Sequence, residues 1–534
     1  MCTSVKNLSD IPNEESQLSL IDELYKKIEN PDDSDIYIDE SKSEIRQFLT
    51  GQVIFITGGT GYVGKSTIEK LLRSCSDIKR IYILVRPKKQ WSSEERIKRY
   101  FNNELFDKMK KMNPQWERKV VVIPGDCALE GLGISQENRN TVISEINVII
   151  HSAANVKLGE RLSRMLQINV IGTKEILTLA SECKNLKACL YISTTYSHCY
   201  LHEIEEKFYP STIDMEMVYD VIRADSRSTM SEEAEKSIIG KWPNSYTFSK
   251  ALAENLVKEY GKTLPVGIFR PSMVLLTYEE PLTSWTDSFT GLLVYGAAAS
   301  LGFVHLTETN MDMITDVVPV DMCANAILAC TWDIALNPRS KDEDPPVYNF
   351  ATSTENPISY REMDRLVLAY AKTFPSARSI SYFWVVHINN YILLCIFDFF
   401  IHFIPCLLFD AYRLLTLQKV MALPVYFKAH KFRSVFRYFI KSEWKFHATR
   451  SRQLWDKLND TDKKLFFCDL RKISWEIYLM NFWRGIRVYV LKDPMSTVVE
   501  ARKKYLKLTI IHFTVITVLG LLFMYFLYRI IFFY

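Results

Sequence analysis

A chain that reads "VIFITGGTGYVGKSTIEKLL" from Val53 onward has few local structures open to it. "VIFIT" is a short apolar, β-branched run that predicts a buried strand, and "STIEKLL" carries helical periodicity. Four glycines, Gly58, Gly59, Gly61 and Gly64, fall within seven positions at the junction. A strand that turns at once into a helix needs positive φ, which glycine reaches cheaply. Bare backbone also lets a pyrophosphate approach, and the free N–H groups at a helix start hold its charge. Gly58, Gly61 and Gly64 match GxxGxxG, and Gly59, Gly61 and Gly64 match GxGxxG. In this strand–helix context the spacing points to nucleotide binding. A purely structural turn has no need of three glycines so placed.

Such units recur up to about residue 349. "RIYILV", "KVVVIPG", "NVIIHSA", "CLYIST" and "PVGIFRP" are further strand candidates. Helical patterns lie between them around "RMLQINVIGTKEILTLASEC" and "SYTFSKALAENLVKEYG". Strands alternating with helices imply parallel crossovers, and near-continuous apolar strands fit a sheet covered on both faces. The expected fold class is therefore α/β: a Rossmann-type doubly wound parallel sheet, then a mainly helical C-terminal domain, then a C-terminal transmembrane helix. The expected divisions are a mobile polar leader over 1–45, a nucleotide-binding domain over 46–350, a helical domain over 351–500 and an anchor over 508–528.

With 66 Lys and Arg against 62 Asp and Glu, the charge is too balanced to argue for nucleic acid. The eleven cysteines form no CxxC pair and sit in apolar runs, so they read as reduced thiols, and no metal site is expected. The polar leader holds no apolar core of signal-peptide length. Leu508 to Tyr528 runs 21 residues without a formal charge. At about 1.5 Å per residue this crosses a hydrocarbon core of about 30 Å. Arg502, Lys503, Lys504 and Lys507 precede it and only Arg529 follows, which favours a cytosolic N-terminal side.

"SISYFWVVHINNYILLCIFDFFIHFIPCLLFDAY" is apolar but is interrupted by Asn389, Asn390, Asp398 and His402. A second membrane-seated segment, a re-entrant hairpin and a greasy helical surface all fit it. Membrane contact without a clean span over 380–409 is the favoured reading. Lys428 to Arg452 carries eight Lys or Arg and one Glu among aromatic residues. That composition suits an anionic membrane surface, and equally an amphipathic helix with its charges in water. Membrane lipids are thus an expected partner.

Chemistry-bearing residues follow the glycine loop. Arg86 ends the second strand candidate, where an acidic residue would bind the ribose of NAD and a cationic one accommodates a 2′-phosphate. Arg86, with Lys88 and Lys89 nearby, favours NADPH. Tyr246 and Lys250 stand at YxxxK spacing, which shares one helix face. A neighbouring cation favours the phenolate and eases proton exchange. Ser193, Thr194 and Thr195 end a strand and offer hydroxyls for a substrate oxygen.

The glycine loop, "HSAAN", "INVIGT", "YIST" and YxxxK together resemble an extended short-chain dehydrogenase/reductase. "FITGGTGYVGK", "LVRPKK", "IPGDC", "YTFSKALAE", "FRPSMV", "DVVPVDM", "YNFATSTENPIS", "WKFHATRSRQLW" and "DPMSTVVEARKKY" occur in the order of the eukaryotic fatty acyl-CoA reductases, over roughly residues 45–510. The resemblance implies that Gly58, Thr60, Gly61, Tyr62 and Val63 line the pyrophosphate, and that Arg86 meets the 2′-phosphate. It implies that Asp126 flanks the adenine, that Ala153 and Ala154 pass beneath the cofactor, and that Pro271 lies near the nicotinamide. Thr194, Tyr246 and Lys250 are the implied catalytic group, with Ser193 competing for the hydroxyl role. The implied reaction reduces a long-chain acyl-CoA through an aldehyde to a primary alcohol, using two NADPH.

Between Tyr278 and His305 the chain departs from the family pattern. "SWTDS" keeps Trp285 and Asp287 but not several neighbours, in a stretch expected to line the acyl or CoA site. Two rival readings remain: a membrane-bound hydroxysteroid-type dehydrogenase or sugar-nucleotide epimerase of the same fold, and a catalytically idle NADPH-binding scaffold. The ending "RIIFFY" is no peroxisomal SKL signal. An anchor with the catalytic domain facing the cytosol is expected, in the endoplasmic reticulum ahead of peroxisomes.

Overall fold

The computed structural model describes residues 39–87, 90–210, 214–226, 230–289 and 291–533. Most of the expected leader, and the pair Lys88 and Lys89, lie outside the described residues.

Strands β1 (Val53–Thr57), β2 (Arg80–Val85), β3 (Val120–Pro124), β4 (Val148–His151), β5 (Ala188–Ile192), β6 (Val266–Pro271) and β7 (Val347–Phe350) form one sheet. Their order is β7-β6-β5-β4-β1-β2-β3 and every pairing is parallel. The first six match the strands expected from apolar runs. The seventh, "VYNF", was not anticipated: at four residues after Pro345 and Pro346 it carries too little periodicity to stand out.

Alternation along each strand divides the core in two. Ile54 and Ile56 of β1 face a layer holding α1 (Tyr62–Ser74) and α4 (Val320–Leu336). Val53 and Phe55 face the other layer, with α2 (Gly172–Glu182) and α3 (Ser245–Tyr260). Both faces are therefore covered, which is why these strands read as unbroken apolar runs. The sheet changes winding direction between β1 and β4, where open α/β sheets bind ligands at their strand C-termini.

The C-terminal part is mainly helical. It contains α5 (Tyr391–Leu415), α6 (Ala422–Ile440), α7 (Trp475–Gly485) and α8 (Val498–Phe533). It shares its core with the sheet: Leu454, Trp455, Phe466, Tyr478 and Phe482 belong to the same buried cluster as α1 and α4. The expected leader likewise ends in packing. Ile45 is fully buried and Ser43 donates to the Asp462 carboxylate. Among the described residues two helices, over Tyr391–Leu415 and Met495–Phe532, are long and apolar enough to cross a membrane. The ten cysteines among the described residues are free.

Candidate active site

The glycine loop joins β1 to α1. Gly58 has φ +68°, and a Cβ there would lie 2.5 Å from the Ala153 nitrogen and the Ser152 carbonyl carbon. Both facts demand glycine, because the loop after β1 touches the backbone after β4. At Gly64 a Cβ would meet the Gly58 carbonyl oxygen at 2.4 Å, so the first turn of α1 lies directly on the loop. Gly61 differs. It caps α1 with no side chain, and its nearest neighbour to a Cβ is the Gly58 oxygen at 3.1 Å. The first N–H groups of α1, from Tyr62, Val63 and Gly64, have no acceptor within the helix. Donors without acceptors behind an exposed, side-chain-free cap fit a dinucleotide pyrophosphate.

Thr60, Gly61 and Val63 border this opening, but the Tyr62 side chain leaves it. The Tyr62 hydroxyl donates to the Leu275 carbonyl at 2.9 Å, and its ring stacks on Trp285 at 5.6 Å. Only the Tyr62 backbone N–H faces the loop. Across the crevice, Ala153 N–H donates to Thr57 Oγ1 at 3.3 Å, which holds the backbone after β4 against β1, with Ala154 beside it. At the end of β2, Arg86 is half-exposed and its guanidinium lies 3.7 Å from the Asp126 carboxylate after β3. Arg86 and Asp126 thus share one end of the crevice. Pro271 closes β6 opposite Phe350 of β7.

Tyr246 opens α3, whose start is capped by the Asn244 side chain accepting from Thr247 N–H at 2.9 Å. Lys250 follows one turn later and Glu254 another turn on, so all three share a face. The Lys250 ammonium is buried and donates to the Ile192 carbonyl, the last residue of β5, at 2.7 Å. Thr194 stands two residues further. Its Oγ1 caps the short turn Thr195–His198 by accepting from Tyr196 N–H at 3.3 Å, which leaves its proton free to donate. The competing Ser193 hydroxyl is committed elsewhere, donating to Glu254 at 2.6 Å.

Burial pushes the Tyr246 phenol up from its ordinary range. The expected lowering by Lys250 is absent in this arrangement, because the ammonium is turned to Ile192. A phenol kept protonated at neutral pH is the form that donates a proton, which is the direction a reductase needs. Burial also pulls Lys250 down to about 7, with Glu254 opposing.

Burial of the Lys250 ammonium makes stability depend on pH. Below about pH 7 folded and unfolded chains both carry the ammonium, and the full burial penalty stands. From there to about 10.5 the unfolded chain binds more protons, so stability rises with pH. Lys250→Met is therefore expected to stabilise the cofactor-free fold by roughly 1–3 kcal/mol below pH 7, with the gain shrinking toward pH 10.5 and catalysis lost. Urea midpoints of parent and variant at several pH values measure it.

Two groups escaped the sequence reading. Glu254 and Arg270 form a wholly buried ion pair, with Arg270 Nε and Nη2 at 2.9 and 2.6 Å from the two carboxylate oxygens. His198 meets the same carboxylate at 3.1 Å. The cluster ties α3 to β5 and β6 and holds Ser193 away from the crevice. Its signal was an arginine inside the apolar strand "GIFRP". The second group is Asn169, whose Nδ2 donates to Ser249 of α3 at 2.9 Å and to the Asn155 carbonyl at 3.0 Å. It fastens the loop after β4 to the helix that carries Tyr246.

The stretch expected to line the acyl site begins as structure. Trp285 is fully buried against Tyr62, and Asp287 pairs with Lys65 of α1. Both residues fix the start of the nucleotide helix. Among the described residues no cluster of metal-ligating side chains exists.

A doubly wound sheet, a helix N-terminus with free donors at its switch point, and a YxxxK helix beside it define a nicotinamide-dependent reductase of the extended short-chain dehydrogenase/reductase type. A family profile described as Male sterility protein matches residues 56–327, and a second of the same description matches 401–493. The chain is 39% identical over 482 residues to fatty acyl-CoA reductase wat of Drosophila melanogaster, covering 90% of this chain and 92% of that relative. It is 33% identical over 478 residues to fatty acyl-CoA reductase 1 of Rattus norvegicus, with 90% and 92% covered. The chain belongs to the fatty acyl-CoA reductase family. In fold it is similar to the reductase domain of a nonribosomal peptide synthetase from Mycobacterium tuberculosis, with TM-score 0.55 at 18% identity over 82% of this chain and 92% of that one. The terminal R domain of the myxalamid pathway gives 0.54 at 19% identity, over 82% and 91%.

Proposed function

We propose that this chain reduces long-chain acyl-CoA to a primary alcohol, using two NADPH. The observation that carries the reading is one helix face bearing Tyr246 and Lys250 beside a free Thr194 hydroxyl, next to a crevice built for a dinucleotide. When bound, one NADPH would supply hydride to the thioester carbon, whose C–S bond then breaks to release CoA as the thiol, and a second NADPH would supply hydride to the aldehyde so formed. Thr194 and Tyr246 donate hydrogen bonds to the carbonyl oxygen, so that charge developing there meets oriented donors. Tyr246 then gives its proton to the alkoxide of the second reduction. Lys250 orients the nicotinamide ribose and stays anchored to the end of β5. Gly58, Thr60, Gly61 and the backbone of Tyr62 and Val63 hold the pyrophosphate, and Asp126 flanks the adenine. Ala153, Ala154 and Pro271 form the walls.

Arg86 is assigned to the 2′-phosphate, which makes NADPH the coenzyme. Arg86→Asp is expected to lose roughly tenfold or more in NADPH efficiency, the worth of about one charge-assisted contact, while NADH efficiency changes little. Steady-state kinetics with each coenzyme measure that ratio.

Residues 46–350 act as the catalytic unit, 351–500 as a membrane-associated helical unit, and 508–528 as the anchor within α8, with the catalytic side in the cytosol. The endoplasmic reticulum is favoured over peroxisomes. A panel of hexadecanoyl-CoA, a keto-steroid and a UDP-sugar, each with NADPH and the full chain, tests the substrate class. Alcohol from the first and nothing from the others is expected. Coenzyme oxidation driven by the steroid or the sugar alone overturns the reading.

A further inference from the structure

Helices α5 and α6 form a hairpin that is built inside out. Asp410, near the end of α5, accepts from the N–H groups of Met421, Ala422 and Leu423 at 2.9, 3.0 and 2.7 Å, which closes the turn and caps α6. Asp398 accepts from both terminal nitrogens of Arg433 at 2.9 and 3.2 Å, from the Tyr426 hydroxyl at 2.7 Å and from His402 at 3.0 Å. Both acids are buried between the helices. The large apolar side chains point outward: Ile392, Phe400, Leu408, Tyr412, Leu415 and Leu417 are all exposed, Leu417 to 98%. Water-soluble helix pairs have the opposite arrangement. An apolar outside around a satisfied polar seam is the arrangement that lipid demands.

Three features choose the occupant. First, α8 stands beside the hairpin. Tyr382 lies against His512 and Phe513 of α8 at 5.0 and 5.7 Å, and Trp384 lies against His512 at 5.9 Å. Trp384 stacks on His305 at 4.3 Å, and His305 N–H donates to His402 of α5 at 3.1 Å. His402, in the middle of α5, is therefore linked through His305 and Trp384 to His512, near the start of the apolar stretch of α8. Second, α6 exposes Lys428, His430 and Lys431 in one turn at its middle, where a helix crossing hydrocarbon would carry apolar residues, which suits a helix lying at the headgroups. Third, the base of the hairpin rests on the catalytic turn. Tyr438 and Trp444 both donate to the Cys199 carbonyl at 2.9 Å, and Phe439 packs on Tyr196 at 5.5 Å. Cys199 ends the short turn that Thr194 caps.

We infer that residues 391–440 are a monotopic hairpin seated in one leaflet of a phospholipid membrane, with α5 among the acyl chains and α6 at the phosphates. The leaflet is the one that α8 enters first. The hairpin thus sets the Thr194 turn at the bilayer surface, where an acyl chain held in lipid can reach it while a polar thioester head stays in water. This placement rests on the function proposed above; the membrane seat itself does not.

The test uses the full chain in mixed phosphatidylcholine–phosphatidylserine vesicles. An environment-sensitive fluorophore is carried on Cys395, an exposed thiol of α5, with Cys2, Cys183 and Cys406 changed to Ser. Emission is expected to shift to the blue, to be quenched by lipids with a nitroxide on the acyl chain, and to resist iodide. The same fluorophore on Leu129→Cys, exposed on the nucleotide-binding unit, is expected to behave oppositely. Phe400→Asp combined with Leu408→Asp is expected to return Cys395 to water, while a label on Leu519→Cys in α8 stays in lipid and NADPH still binds. Iodide access at Cys395 equal to that at Leu129→Cys overturns the inference. So does protection from both quenchers with energy transfer that grows with protein density, which assigns the face to a second copy of the chain. Both readouts are independent of turnover, so they stand apart from the assay of the reaction.

Discussion

Tyr246→Phe is expected to cut alcohol formation by roughly 10²–10⁴-fold, the range for a positioned general acid, with NADPH affinity little changed. The substitution removes one oxygen. The hydroxyl it removes caps nothing and accepts no hydrogen bond from the described residues, while the ring keeps its place at the start of α3. Loss of stability is therefore not the expected cause of any loss of rate. Thr194→Ala is expected to cost less, because it removes a hydrogen bond to the carbonyl oxygen but leaves the proton donor in place. The two variants separate the roles in a direct way. The pH dependence adds a check, since burial pushes the Tyr246 phenol up. Reduction is then expected to show no alkaline loss from ionisation of this tyrosine near neutrality. Rate measurement with hexadecanoyl-CoA and coenzyme titration on the same preparations decide the matter. Unchanged product formation in Tyr246→Phe would falsify the catalytic assignment.

Arg270→Met is expected to destabilise the fold by about 3–5 kcal/mol, the cost of breaking a buried ion pair from one side. Burial alone would push the Glu254 carboxyl up, but Arg270 and His198 hold it well below the usual carboxylate range. Without Arg270 that carboxylate keeps Ser193 and His198, the Lys207 carbonyl loses its guanidinium donor, and the Glu205 carbonyl keeps the Lys207 N–H alone. The double variant Arg270→Met with Glu254→Leu is expected to recover most of the loss, because no buried charge is left unpaired. The sign with pH follows from the lowered carboxyl. Its contribution is complete above the unfolded value near 4.5 and is lost as pH falls toward the folded value. Urea midpoints of the two single variants and the double variant, at neutral and acid pH, read both effects.

These two residues also mark how far the sequence could be read. The helix face shared by Tyr246 and Lys250 was legible because the two stand four positions apart, and local spacing is visible in a linear string. Six of the seven strands were legible because both sheet faces are covered, which leaves long apolar runs. Gly58 and Gly64 were legible because positive φ and close backbone contact admit no other residue. Arg270 and Glu254 were not, because their pairing joins a strand to a helix across the core. Only the oddity of a charge in an apolar strand hinted that a partner had to exist. The choice between Ser193 and Thr194 was open in sequence, since adjacent hydroxyls differ only in the direction they point. The direction is set by Glu254, a residue 61 positions from Ser193. Tyr62 illustrates the same limit: its position in the glycine motif is fixed by the chain, but its rotamer is decided by Trp285 and the Leu275 carbonyl. The tail was legible as apolar. Its inverted packing was not, because composition does not say which face a buried aspartate takes.

The proposal as a whole stands on a carbonyl receiving hydride beside Tyr246. The most direct measurement incubates the reconstituted full chain with hexadecanoyl-CoA and NADPH deuterated at the transferable position, then analyses the product by mass spectrometry. The expected product is 1-hexadecanol carrying two deuterium atoms on its hydroxyl-bearing carbon, with one CoA thiol released. Acyl-CoA returned intact by folded protein that binds the coenzyme, or alcohol free of deuterium, would contradict it.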